Sequence, residues 1–241
     1  MNQPFLTLFR YWIHVYFPFT LALVLWFGTT GHSRNFYPDD IGNQWTLQSL
    51  DKMNLRTVTI KGPEIIDGVE LSLIEEDTNG NANKLFVKSE ADGIKLFRSI
   101  VSIAIIGEVT FDYSPPQVFL PIPAHLGSTW TVQSDAEIAA VGKIQSTNRA
   151  EVVAIEEVVT PAGTFQDCLN IKQNIALNLP IADLELTNSM WLAPNVGLVK
   201  ATDSGGIIFE LIDFDIAESE PQTAVQPIGK LATTWASMKY R

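Results

Sequence analysis

Between residues 36 and 215 apolar and polar positions alternate with a period of two, interrupted at short intervals by turn dipeptides. Val69, Leu71 and Leu73 alternate with Glu70 and Ser72, while Phe165, Leu169 and Ile171 share a face opposite Gln166, Asn170 and Lys172. That period places successive side chains on opposite faces and predicts half-buried β-strands. Asp67-Gly68, Asn79-Gly80 and Asp92-Gly93 fall between such runs, and these dipeptides suit tight hairpins that need positive φ. Thr160-Pro161-Ala162-Gly163 reads as a type I turn. The run from Val101 to Ile106 is apolar on both faces, which predicts a central strand covered twice. Ile207 to Phe214 has the same character, interrupted by Glu210. No long amphipathic helix is visible between residues 36 and 215. The pattern predicts an all-β, mostly antiparallel fold of about ten or more strands, either a curved sheet, a half-barrel or a sandwich.

The same stretch is written twice. Phe36, Pro38, Gly42, Trp45, Thr46, Gln48 and Ser49 recur as Phe119, Pro121, Gly127, Trp130, Thr131, Gln133 and Ser134. A second echo closes each half: Phe86 precedes Gly93, Ile94 and Lys95, and Trp191 precedes Gly197, Leu198, Val199 and Lys200. Two ordered echoes predict an internal duplication, with halves at about 36–113 and 118–215 inside a domain of residues 34–215.

The two ends behave differently. Residues 1–33 contain no acid and a single basic residue, Arg10, with an apolar run from Tyr11 to Gly28 and then small residues after it. This is the layout of a secretory signal, and the run is also long enough to act as an uncleaved signal anchor. In both cases Arg10 favours a cytoplasmic N-terminus and export of residues 34–241, to the periplasm or the extracellular space. Residues 216–227 read as a linker. Beyond it Ile228, Leu231, Trp235 and Met238 fall at helical spacing, which predicts a short amphipathic helix able to cover the sheet as a mobile flap.

Composition narrows the chemistry. With 16 basic against 27 acidic residues the net charge is −11, which repels phosphate backbones and argues against nucleic-acid binding. One cysteine excludes an intramolecular disulfide and a cysteine-based zinc cage. Asp77, Asn79 and Asn81 copy the start of a calcium loop, but Ala82 replaces its sharp-turn glycine and Lys88 its final acid, so a hairpin turn is expected. The acid pairs Asp39-Asp40, Glu75-Glu76 and Glu156-Glu157 point to opposite faces on a strand and read as solvated. Cys168 lies inside an expected strand and reads as a buried structural thiol rather than as a nucleophile paired with His125. The sequence contains neither a nucleophile elbow nor a phosphate loop, and no catalytic residue, metal ligand or cofactor is expected.

These landmarks resemble an uncharacterised family of exported bacterial β domains, often found in lipoproteins. The resemblance rests on Phe36, Tyr37, Pro38, Gly42 and Trp45, on residues 159–165 (Val-Thr-Pro-Ala-Gly-Thr-Phe), and on residues 191–199 (Trp-Leu-Ala-Pro-Asn-Val-Gly-Leu-Val). It implies a curved antiparallel sheet, distantly similar to the lipoprotein-carrier proteins of the periplasm, and it brings no catalytic residues. The lipobox cysteine of the lipoprotein members is absent here.

The function expected from the sequence is a non-enzymatic module of the cell envelope that binds an apolar small molecule, a lipid or an envelope protein. It touches the membrane only through its N-terminal segment. The alternatives are an envelope hydrolase using carboxylates and a structural spacer beside a membrane anchor. Trp45, Trp130, Trp191 and Trp235 are the candidate ligand-binding residues, because large aromatics either anchor a core or line the concave side of a curved sheet. If the leader is cleaved after its small residues, terminal sequencing of the exported protein will start near His32 or Arg34. A mature chain that begins at Met1 identifies an anchor instead.

Overall fold

The computed structural model describes residues 35–103, 107–138, 142–178 and 183–217. The predicted signal or anchor segment and the tail stripe lie outside the described residues. The first half is an antiparallel meander of β1 (Gln44–Ser49), β2 (Leu55–Ile66), β3 (Val69–Thr78), β4 (Asn81–Glu90), β5 (Gly93–Ile103) and β6 (Gly107–Pro121). The second half repeats it with β7 (Thr129–Ile138), β8 (Gly142–Thr160), β9 (Gly163–Asn178), β10 (Asp183–Ala193), β11 (Gly197–Thr202) and β12 (Ile208–Asp215). All twelve belong to one sheet in the order β6-β5-β4-β3-β2-β1-β12-β11-β10-β9-β8-β7. The sheet is strongly curved and nearly closed, and no helix occurs among the described residues.

Local sequence explains most of the connections. Asp67-Gly68 and Asn79-Gly80 take positive φ at both turn positions, 51° and 80° in the first pair and 52° and 87° in the second. Two positive φ values twist a two-residue turn in the sense that flanking strands require. Asp77 is part of the second hairpin, its Oδ1 accepting from the Gly80 amide at 2.8 Å. Residues 101–103 end β5 beside the edge strand β6, with Val101 half-buried and Ser102 exposed. The central strand covered on both faces that was expected at Val101 to Ile106 is therefore corrected. Its described residues stand where the sheet ends, next to an edge rather than between two covering layers. Ile207 to Phe214, in contrast, supplies β12 at the centre of the sheet, where Phe209 and Leu211 are buried.

The duplication is physical. Adding six to a strand's number carries the first meander onto the second, so Trp45 in β1 and Trp130 in β7 occupy equivalent strands. Backbone hydrogen bonds repeat as well. Gly42 N donates to Ile60 O and Ile60 N to Asn43 O, both at 2.9 Å; Gly127 N donates to Val152 O and Val152 N to Ser128 O, again at 2.9 Å. The second echo falls on β4–β5 in one half and β10–β11 in the other.

The same symmetry creates two seams between the halves. At one, β1 pairs with β12 over the full length of β1. At the other, β6 and β7 are consecutive in the chain and lie side by side, yet they form the two edges of the sheet. Trp45 seals the first seam from inside. It is fully buried, and its Nε1 donates to Val196 O at 2.6 Å in the turn between β10 and β11. Tyr37 packs against its ring with centroids 5.7 Å apart and meets Phe119 edge-on at 5.8 Å. Burial, together with the charges of Glu76 and Asp39, pushes the Tyr37 phenol well above its ordinary pKa. Asn43, also fully buried, donates to Pro38 O at 3.1 Å and accepts from Ala217 N at 2.8 Å, which ties the segment before β1 to the segment after β12.

Gly197 carries the tightest approach in this lock. Its φ is +90°, and a Cβ built there would stand 2.8 Å from Trp45 Cζ2 and 3.1 Å from Cε2 and Nε1. A rigid ring held by its own hydrogen bond has no easy way to yield. Gly197→Ala is expected to lose about 2–4 kcal/mol, from left-handed strain and overpacking together. Gly127→Ala, at φ +81° with open space around the Cβ, should lose about 1–2 kcal/mol from backbone strain alone. Urea unfolding of the two variants checks the difference, and equal losses would mean the ring contact contributes nothing.

Candidate functional site

Inward-facing positions change character along the strands. Near the end closed by Trp45 they are large and apolar: Val152 on β8, Ile171 on β9 and Leu192 on β10 are all buried at the level of the core. Towards the other end polar groups interrupt the same faces. The β8 series continues Ala150, Asn148, Ser146, and the β10 series continues Met190, Asn188, Leu186. A cavity of about 450 Å³ lies among these positions and opens to solvent. Its apolar lining includes Ile74, Leu85, Phe111, Trp130, Ile175 and Met190. A volume and composition of this kind are those of small-molecule sites.

One wall is charged. Arg56 on β2 has its Nε 3.1 Å from Glu76 Oε1, and its Nη2 lies 3.9 Å from Asp203 Oδ2. Arg56 Nε also donates to Thr78 Oγ1 at 3.2 Å, and the guanidinium rests 3.9 Å from the Phe209 ring centroid. The opposite wall is uncharged but polar. Gln173 on β9 pairs directly with Asn188 on β10, and Asn148 on β8 pairs with Ile175 one step further along. Asn148 Oδ1 and Asn188 Oδ1 are shielded from solvent and have no hydrogen-bond partner among the described residues.

Between these walls lies the unpaired seam. Tyr113 on β6 shares a hydrogen bond with Ser99 on β5 at 2.9 Å. Burial raises its pKa, with the hydroxyl of Ser99 acting in the opposite direction.

The four predicted tryptophans go to different places. Trp130 is half-buried and lines the cavity. Trp45 is wholly enclosed in the core at the first seam and is not part of the lining. Trp191 is next in the strand to the cavity residue Met190 and therefore faces the other side of the sheet, where Nε1 donates to Glu156 Oε1 at 2.6 Å. The Lys200 ammonium sits 5.4 Å from the Trp191 ring centroid. Trp235 lies outside the described residues. Glu75 and Glu76 do separate to opposite faces: Glu75 pairs with Lys61, while Glu76 lines the cavity beside Arg56 with its side chain still partly solvated.

Sequence reasoning missed Arg56, Asp203, Asn148, Gln173 and Asn188. A usable signal was present at Gln173, which interrupts the apolar face of Leu169, Ile171, Ile175 and Leu177. A polar residue inside an otherwise apolar period of two marks either a buried hydrogen bond or a cavity wall.

The DUF3108-like family matches residues 126–204, a stretch that contains the segments 159–165 and 191–199. Among solved structures, a "putative lipoprotein" from Parabacteroides distasonis ATCC 8503 is 16% identical with a TM-score of 0.47, over 76% of this chain and 99% of that one. A "putative exported protein with YmcC-like fold" from Bacteroides fragilis NCTC 9343 is 15% identical with a TM-score of 0.44, again over 76% and 99%. No curated protein matches.

Cys168 is 0% exposed, and its Sγ donates to Phe165 O at 3.4 Å. Burial is the main reason that its pKa is pushed up to about 11. At pH 8 only about one thiol in a thousand is then ionised. Maleimide labelling of the native protein at pH 8 should be slow, and complete within minutes once the chain is unfolded in urea. Rapid labelling of the native state would contradict this placement.

Proposed function

We propose that the chain is an exported, non-enzymatic binding module of the cell envelope that takes an apolar or amphiphilic small molecule into the open half of its barrel. The observation that carries this reading is the cavity of about 450 Å³, walled mostly by apolar side chains and lying beside a seam without ladder hydrogen bonds. The leader-like residues 1–33 support export, and their pattern leaves both a cleaved signal and a membrane anchor compatible with the reading.

The hydrolase alternative has one feature in its favour, since Glu76 and Asp203 both face the cavity. Both also engage Arg56, so a guanidinium occupies the place that a scissile bond would need between two acting acids. A shared cation of this kind suits recognition and structural support better than proton transfer.

Native mass spectrometry of the purified exported protein is expected to show a bound small molecule that denaturation releases. The empty protein should take up an apolar naphthylamine dye with increased fluorescence. Leu186→Trp, which places a larger side chain in the cavity wall, should weaken dye binding by about tenfold with little change in thermal stability. Equal dye binding by this variant would overturn the cavity as the site.

A further inference from the structure

Resting on the binding reading above, we infer that the mouth of the barrel docks on a lipid bilayer. Leu50, Met53, Leu55 and Ile207 enter the interface, and Lys52 lies at the level of the lipid phosphates. The bilayer is then the place where the cavity takes up or releases its apolar content.

The first observation is where exposed apolar side chains stand. The turn between β1 and β2 and the loop before β12 expose Leu50, Met53, Leu55 and Ile207, at 59%, 78%, 45% and 38% of their surface. The two segments touch, since Leu50 N donates to Ile208 O at 3.1 Å. Single exposed apolar residues are ordinary on a protein surface, whereas a cluster on adjoining loops marks a contact surface. This cluster borders the cavity. Arg56 follows Leu55 in β2 and lines the wall, as do Asp203 and Ser204 in the loop that holds Ile207.

The second observation is that the tip is held in shape. Ser49 N donates to Asn54 O at 3.0 Å and Lys52 N to Ser49 O at 2.8 Å. Asn79 Nδ2 donates to Asn54 Oδ1 at 2.8 Å and Leu55 N to Asn79 Oδ1 at 3.1 Å, which braces the turn against the β3–β4 hairpin. A fixed backbone therefore presents these side chains to solvent, and little ordering entropy is left to lose on contact.

The third is charge. Asp51 Oδ1 accepts from the Ser49 hydroxyl and from Met53 N, and Asp203 Oδ1 accepts from Gly205 N and Ile207 N. Both acids of the two loops are thus engaged within them, whereas Lys52 is exposed and has no ion pair among the described residues. In the sequence the connections that follow β5, β7 and β9 (104–106, 139–141 and 179–182) contain no charged residue. The opposite end also exposes Ile41, Ile65, Ile122 and Leu126, but its turns bring Asp39, Asp40, Asp67 and Asp92 beside them, which an anionic bilayer repels. Aliphatic side chains around one lysine complement hydrocarbon beneath a layer of phosphates. An apolar molecule is also concentrated in bilayers rather than in water, so a module that binds one meets it there. This contact is separate from the one expected of the N-terminal segment.

Site-directed fluorescence on the purified exported protein tests the inference. Met53→Cys is labelled with nitrobenzoxadiazole under native conditions, in which Cys168 is enclosed, and mixed with vesicles of phosphatidylcholine and phosphatidylglycerol. The emission is expected to shift to the blue and to be quenched by lipids spin-labelled along the acyl chain. The same label at Ile65→Cys, a position 75% exposed at the opposite end, should stay in water. Lys52→Gln should raise the vesicle concentration needed for half the shift by about fivefold, and Leu50→Asp by about tenfold or more. Leu186→Trp should leave the shift unchanged while weakening dye binding, which separates docking from occupancy of the cavity. An unshifted label at position 53, or equal quenching at 53 and 65, would overturn docking and leave the binding reading intact. A shift at 53 in a protein that takes up no dye would instead overturn the binding reading and leave the docking surface standing.

Discussion

Everything else in this fold depends on joining two six-stranded meanders edge to edge, and a single tryptophan secures that joint. Trp45 belongs to the first half, yet its indole N–H is spent on the carbonyl of Val196 and its ring rests on Gly197, both in the second. A buried indole needs a partner for its one donor, and here that partner fixes where the other half must sit. The β1–β12 ladder then forms in register, and the inward faces of both meanders share one apolar core. Without such a lock each meander would present two long edges, an arrangement that invites pairing with other chains.

The equivalent tryptophan has a different fate. Trp130 stands in the matching strand, but β7 is an edge, and its ring faces the cavity instead of a turn from the opposite half. Gly93, the counterpart of Gly197, is crowded by the carbonyl of Leu120 on β6, where a Cβ would lie 2.4 Å away. The close approach has therefore been kept in both halves while its partner has changed. One copy of the motif closes the barrel, and the other helps to line it. Divergence between the copies is what separates a filled end from a hollow one.

Much of the architecture was legible in the sequence because it is encoded locally. The dipeptides Asp67-Gly68 and Asn79-Gly80 specify hairpins through φ alone, and the repeated Gly-x-x-Trp spacing keeps equivalent side chains on equivalent faces. The site was less legible, since it is assembled from strands far apart in the chain. Arg56 meets Asp203 only because β2 and β11 lie on one curved wall, a fact that depends on sheet order and curvature. Gln173 and Asn188 become neighbours through the register of β9 and β10. Alternation reveals which residues point inward, but not whether opposite walls touch. For the same reason Trp45, Trp130 and Trp191 look alike in the sequence and occupy three different environments in the structure.

The unpaired β6–β7 seam makes the molecule a split ring. A closed barrel has a girth fixed by strand number and shear, and changing it means breaking a ladder. A ring with one gap changes girth by flexing, and here no column of backbone hydrogen bonds spans the gap among the described residues. The caliber of the hollow end is thereby uncoupled from the integrity of the sheet, since widening it breaks no ladder.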